Sequence, residues 1–102
     1  MHWYYYFSDL LAGMLLANFV PHFIKGTAGD PFPTPFAKPP GKGLSSPLVN
    51  VLWAMFNLIV GFLLFRFGKV SVGDTLSISV FFIGIACISI FSAINFVHKD
   101  KV

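Results

Sequence analysis

Three runs of apolar residues, Tyr4 to Phe23, Leu48 to Phe67 and Leu76 to Val97, divide the chain, and polar residues collect between them. Each run is close to the ~20 residues an α-helix needs to cross about 30 Å of hydrocarbon. The pattern predicts helices over 4–23, 47–67 and 75–97, a proline- and glycine-rich loop over 26–46, and a short polar tail over 98–102. The first run is the least uniform, because Asp9, Asn18 and His22 interrupt it and Pro21 stands near its end. It does not read as a secretory signal: MHWYYYF has no basic side chain apart from His2, and no small-x-small site follows.

The element ends carry their own signals. Ser46 is placed to cap the free amides of a helix whose first residue, Pro47, needs no hydrogen-bond donor. Asp74 or Thr75 serves the third helix in the same way, and His98 and Lys99 follow its last apolar residue, where the dipole is negative. VSVGDTLSISV, residues 70–80, alternates around Gly-Asp as a hairpin does. The apolar run nevertheless continues to Val97, too far for a strand, and an open hairpin edge in lipid leaves backbone groups unpaired. A helix is the expected outcome.

Composition identifies the solvent. Of 102 residues 56% are hydrophobic and 11% charged, whereas about a quarter of a soluble domain is charged. So short a chain cannot hide that much apolar surface from water. The expected fold class is an all-α integral membrane protein of one domain, with three transmembrane helices and an ordered proline-rich loop between the first and second. The charges are scattered, so nucleic acid is not an expected partner. Cys87 is alone, which excludes a disulfide framework and the CxxC motifs. Lys25, Lys38, Lys42, Lys99 and Lys101 fall on one side of the membrane and Arg66 and Lys69 on the other, a bias that puts the N-terminus outside and the C-terminus in the cytoplasm.

Three crossings bring the end of the first helix, the start of the second and the end of the third into one leaflet. Asn18, His22, Asn50, Asn95 and His98 therefore belong near one membrane face. Asn18 and His22, four apart, share a side of their helix, and Asn50, Ala54, Asn57 and Gly61 form a narrow stripe within about 40° of Asn50. This stripe is costly against lipid and should turn inward. The loop DPFPTPFAKPPGKGLSSP, residues 30–47, adjoins it. Its prolines forbid a regular helix, and Gly41 and Gly43 allow a sharp return. Phe32 and Phe36 are expected to anchor it at the interface, with Lys38 and Lys42 reaching headgroups or solvent.

From Asn18 to Asn57, the succession PHF, PFPTPFA, PPG, SSP and NVLW resembles a family of short, uncharacterised bacterial integral membrane proteins. The resemblance covers some forty of 102 positions and implies a bacterial inner-membrane location, with no activity attached. It also implies glycine where this chain has Phe19 and Ala54.

Candidate chemistry is sparse. His22 and His98 raise a metal, haem or quinone reading, but without a Cys or Glu partner or HxxxH spacing the signal is weak. A His22 hydrogen-bonded to a carbonyl or an asparagine is favoured, and no metal or cofactor is expected. Asp30 and Asp100 read as exposed, Asp74 as a cap, and Asp9 as the partner of Arg66 in a structural ion pair. Ser8, Ser45 and Ser46 lack a GxSxG turn and read as caps and turns. Ser79, Ala86, Ser89 and Ala93 make a small-residue side on the third helix, and Gly13 with Ala17 a shorter one on the first, surfaces suited to helix packing in lipid. Trp3, Tyr4, Tyr5 and Tyr6 form an aromatic belt at the opposite face. The expected protein is non-enzymatic and acts by helix packing, as a homo-oligomer or an accessory subunit of a membrane complex. The alternatives are a homo-oligomeric channel or carrier lined by Asn50 and Asn57 with Asn18 and His22 at its mouth, and a haem- or quinone-binding subunit at His22 and His98.

Overall fold

Three helices account for most of the chain: α1 (Trp3–Thr27), α2 (Pro47–Phe67) and α3 (Thr75–Asn95), the last continued by a 3-10 turn, Phe96–His98. All three are long and apolar enough to cross a membrane. The computed structural model describes residues 2–99; Asp100 and Lys101 lie outside the described residues. The caps follow the sequence. Ser46 Oγ accepts from the Val49 amide ahead of Pro47, and Asp74, rather than Thr75, caps α3 by accepting from the Ser77 amide.

α1 runs past its expected end at residue 23, through Pro21, to Thr27. A proline inside a membrane helix is tolerated when neighbouring groups satisfy the freed carbonyl. The added turn also has a packing role: a Cβ on Gly26 would stand 2.8 Å from the Pro47 carbonyl oxygen, so the end of α1 lies directly on the start of α2. Gly29 then takes φ +80°, and the Asp30 amide donates to the Lys25 carbonyl at 2.9 Å, which closes the helix with a left-handed cap.

α1 is the hub, packing on both α2 and α3. α2 and α3 stay apart as backbones, with Phe65 and Phe81 meeting edge to face at 5.2 Å between centroids. Close approach is made by glycine. A Cβ on Gly13 would lie 2.1 Å from the Phe81 carbonyl oxygen and one on Gly84 2.2 Å from that of Leu10, so α1 and α3 touch backbone to backbone. On α2, Gly61 sits on Leu16. Ala54, where the resemblance implies glycine, is fully buried, while Phe19 packs along α1 against Phe23 with the rings tilted.

The interior is small and polar. The largest fully buried side chains include His22, Asn50, Asn57, Thr34, Asp9 and Ser77, whereas the big apolar side chains point outward. This inversion of a water-soluble core is what lipid as solvent dictates, since apolar side chains gain nothing by leaving it and polar ones must find one another.

Candidate functional site

The buried residues of α2 are Asn50, Ala54, Asn57 and Gly61, the stripe expected from helical spacing, and it faces α1. Backbone carbonyls fix how each amide is turned. Asn57 Nδ2 donates to the Trp53 carbonyl at 2.7 Å, so its Oδ1 must be the acceptor for Asn18 Nδ2 at 3.2 Å. Asn50 Nδ2 donates to the carbonyls of Phe32, Ser45 and Ser46 at 2.9, 3.2 and 3.1 Å. Its Oδ1 therefore accepts, and His22 Nδ1, 2.8 Å away, carries the hydrogen. Asn50 thus joins α1, α2 and the loop.

The loop is an ordered lid. Phe32 and Ser45 exchange backbone hydrogen bonds as an isolated antiparallel bridge, and the Thr34 and Ser45 hydroxyls meet at 2.5 Å. The Thr34 carbonyl accepts from the amides of Ala37 and Gly41, the latter at φ +72°. The Lys38–Pro39 peptide is cis. A third strut comes from α3, where Asn95 Nδ2 donates to the Gly41 carbonyl at 2.9 Å.

The two phenylalanines divide their work, which corrects the expectation that both anchor the loop in the interface. Phe32 is buried and points inward, edge-on to His22 at 5.4 Å and to Phe96 at 4.8 Å between centroids. Phe36 is 65% exposed and leans on Trp53, the position of an interfacial anchor. Lys38 and Lys42 are exposed, as expected.

Beneath the lid lies a cavity of about 340 Å³, its walls including Asn18 and His22 of α1, Trp53 of α2, Phe91 and Asn95 of α3, and Phe96. No Asp, Glu, Lys or Arg is among its lining residues. Trp53 Nε1 is buried without a hydrogen-bond partner. His98 is exposed and does not line this space, so the two histidines are not brought together. His98 ends the 3-10 turn that follows Asn95, where its side chain is exposed.

At the opposite face the expected Asp9–Arg66 ion pair is absent. Asp9 is fully buried; its Oδ2 accepts from Ser77 Oγ at 2.7 Å and its Oδ1 has no hydrogen-bond partner. Arg66 is exposed. The reason is azimuthal: at about 100° per residue Arg66 stands ~140° round α2 from Gly61, on the side turned from α1. Gly68 is the residue that meets Asp9, whose carboxylate occupies the space a side chain there would need. Ser8, read as a cap or turn, instead donates across the interface to the Leu64 carbonyl at 2.8 Å.

The structure thus gathers Asn18, His22, Asn50, Asn57 and Asn95 around the lid, and leaves out His98. Trp53, Thr34 and Ser77 were not singled out from sequence. Thr34, the one hydroxyl inside PFPTPF, was the available signal for the first contact of the lid. No family model, curated protein or solved structure matches this chain.

Proposed function

We propose that the protein is a small, non-enzymatic integral membrane subunit that works by association through α3, with its own copies or within a larger complex. The observation that carries this reading is the direction of the small residues on α3. Ser77 and Gly84, which are buried, face α1. Ser79, Ala86 and Ala93 are exposed and lie about 170° round the helix from them, at ~100° per residue. Ser89, also exposed, lines a groove beside α1 instead. A side of small residues that stays exposed among the described residues is suited to a second helix in lipid, where close backbone approach replaces the hydrophobic effect as the source of affinity. The lysine bias and the resemblance support a bacterial inner membrane with the lidded face in the cytoplasm.

The channel reading loses its lining. Asn50 and Asn57 are fully buried and committed to α1 and the lid, leaving no polar stripe on the outside of α2. The test of association is disulfide trapping from Ala86→Cys in a Cys87→Ala background, in native membranes. Cross-linked dimers, or an adduct with one copurifying partner, are expected, and Ala93→Phe should abolish them. A single chain by subunit counting in bilayers, with no adduct in membranes, would overturn the proposal.

A further inference from the structure

The hydrogen bonds around the lid run in one direction, and the direction has an end. Each asparagine amide is oriented by a backbone carbonyl: Asn50 by Phe32, Asn57 by Trp53, Asn95 by Gly41. Every Nδ2 in the group is occupied as a donor, that of Asn18 by Asn57 Oδ1. Two of the Oδ1 atoms are used internally, Asn57 by Asn18 and Asn50 by His22. Three acceptors remain without a hydrogen-bond donor among the described residues: Asn18 Oδ1, Asn95 Oδ1 and His22 Nε2, which in the neutral ring with its hydrogen on Nδ1 holds a lone pair. All three residues line the same cavity of about 340 Å³, and His22 is only 2% exposed. These acceptors belong to residues around one space, and beside them stands one buried donor with no partner among the described residues, the Trp53 Nε1–H, so a group that both donates and accepts, as a hydroxyl does, matches the lining.

That space has a second property. Apart from the hydroxyls of Thr34 and Ser92, its remaining walls are largely apolar, with Trp53, Phe91, Phe96 and the rings of Pro33, Pro35 and Pro40, and no Asp, Glu, Lys or Arg lines it. A charged guest would lose its hydration with no counter-ion to receive it. A neutral guest that only accepts hydrogen bonds would leave all three acceptors unpaired. The volume falls at the lower end of the ~300–1,000 Å³ typical of small-molecule sites.

We infer that the lidded cavity binds a neutral, lipid-soluble molecule whose head is a hydrogen-bond-donating hydroxyl on an aromatic ring, with the hydroxyl given to the acceptors of His22, Asn18 and Asn95 and the ring held by Trp53, Phe91 and Phe96. The inference is independent of the α3 surface, which lies on another side of the molecule.

Trp53 supplies the reporter. In a Trp3→Phe background, reconstituted in bilayer discs, 4-bromophenol should quench Trp53 fluorescence saturably, and excess 4-butylphenol should relieve the quenching. 4-Bromoanisole, the same ring with the donor methylated, should bind roughly tenfold more weakly or not at all, as loss of a buried hydrogen bond requires. Asn18→Ala and Asn95→Ala should each weaken the phenol several-fold and leave the anisole unchanged. The comparison of the two probes uses one folded protein, so it does not depend on any variant. Equal, unsaturable quenching by both probes, which means that the space takes water or acyl chains only, overturns the proposal. So does phenol binding that neither asparagine variant affects.

Discussion

Asn50→Leu is the substitution on which most of the lidded face depends. The side chain is fully buried and makes hydrogen bonds to His22 Nδ1 and to the carbonyls of Phe32, Ser45 and Ser46 at 2.8 to 3.2 Å. Leucine keeps the branching and the number of heavy atoms and removes every one of these. Ser46 O retains the Asn50 amide, Ser45 O the Phe32 amide and Phe32 O the Ser45 amide, so the group left with no partner at all is the His22 N–H. Leaving a buried donor unpaired costs about 1–3 kcal/mol, and each lost hydrogen bond about 0.5–1.5 kcal/mol, toward the lower end in lipid. The expected loss is about 3 kcal/mol, roughly a hundredfold in the folding constant. Reversible unfolding by sodium dodecyl sulfate in mixed micelles reads the total. Limited proteolysis between Gly29 and Ser45 reads the lid alone, and it should be cut many times faster in the variant. If Asn50→Leu unfolds within ~0.5 kcal/mol of wild type and the lid stays protected, the hydrogen-bond reading of this site is wrong.

Asn57→Leu should cost less, about 1 kcal/mol, because it strands a single Asn18 amide at the edge of the cavity; the same detergent titration measures it. Gly84→Leu should separate α1 from α3, whose carbonyls leave no room for a Cβ, and cost at least the ~1–3 kcal/mol of overpacking; a cysteine pair across the contact would stop forming a disulfide. Arg66→Ala should change stability by less than ~0.5 kcal/mol, as expected of an exposed arginine, and a loss above ~1.5 kcal/mol would restore the discarded pair with Asp9. Gly68→Ala should displace the Asp9 carboxylate and cost more than Arg66→Ala in the same assay. Cysteines at Ser71 and Lys42 should be labelled by impermeant reagents from opposite sides, and labelling from one side would refute three crossings.

The three spans and the stripe on α2 were legible because lipid imposes a simple rule: a polar position is either turned inward or paid for, and the 100° step says which positions turn together. The caps at Ser46 and Asp74 were legible for the same local reason. Asp9 and Arg66 show where the rule must be applied to both partners. Depth in the membrane matched them, but azimuth separated them, and the stripe that placed Asn57 and Gly61 inward already turned Arg66 outward. The inward turn of Phe32 was not legible, because it depends on a bridge to Ser45 across a loop whose path no periodicity describes. The extension of α1 past Pro21 depends likewise on Gly26 meeting Pro47, a contact between residues far apart in sequence.

That α1 is the hub also bears on biogenesis. It is the least apolar of the three spans, holds Asp9, Asn18 and His22, and precedes both helices that supply their hydrogen bonds, Ser77 for Asp9 and Asn57 and Asn50 for the other two. Insertion therefore delivers the neediest segment to the bilayer ahead of its companions. Until α2 and α3 follow, Asp9, Asn18 and His22 lack the partners that offset their cost in lipid, so α1 is the span that gains most from the arrival of the other two.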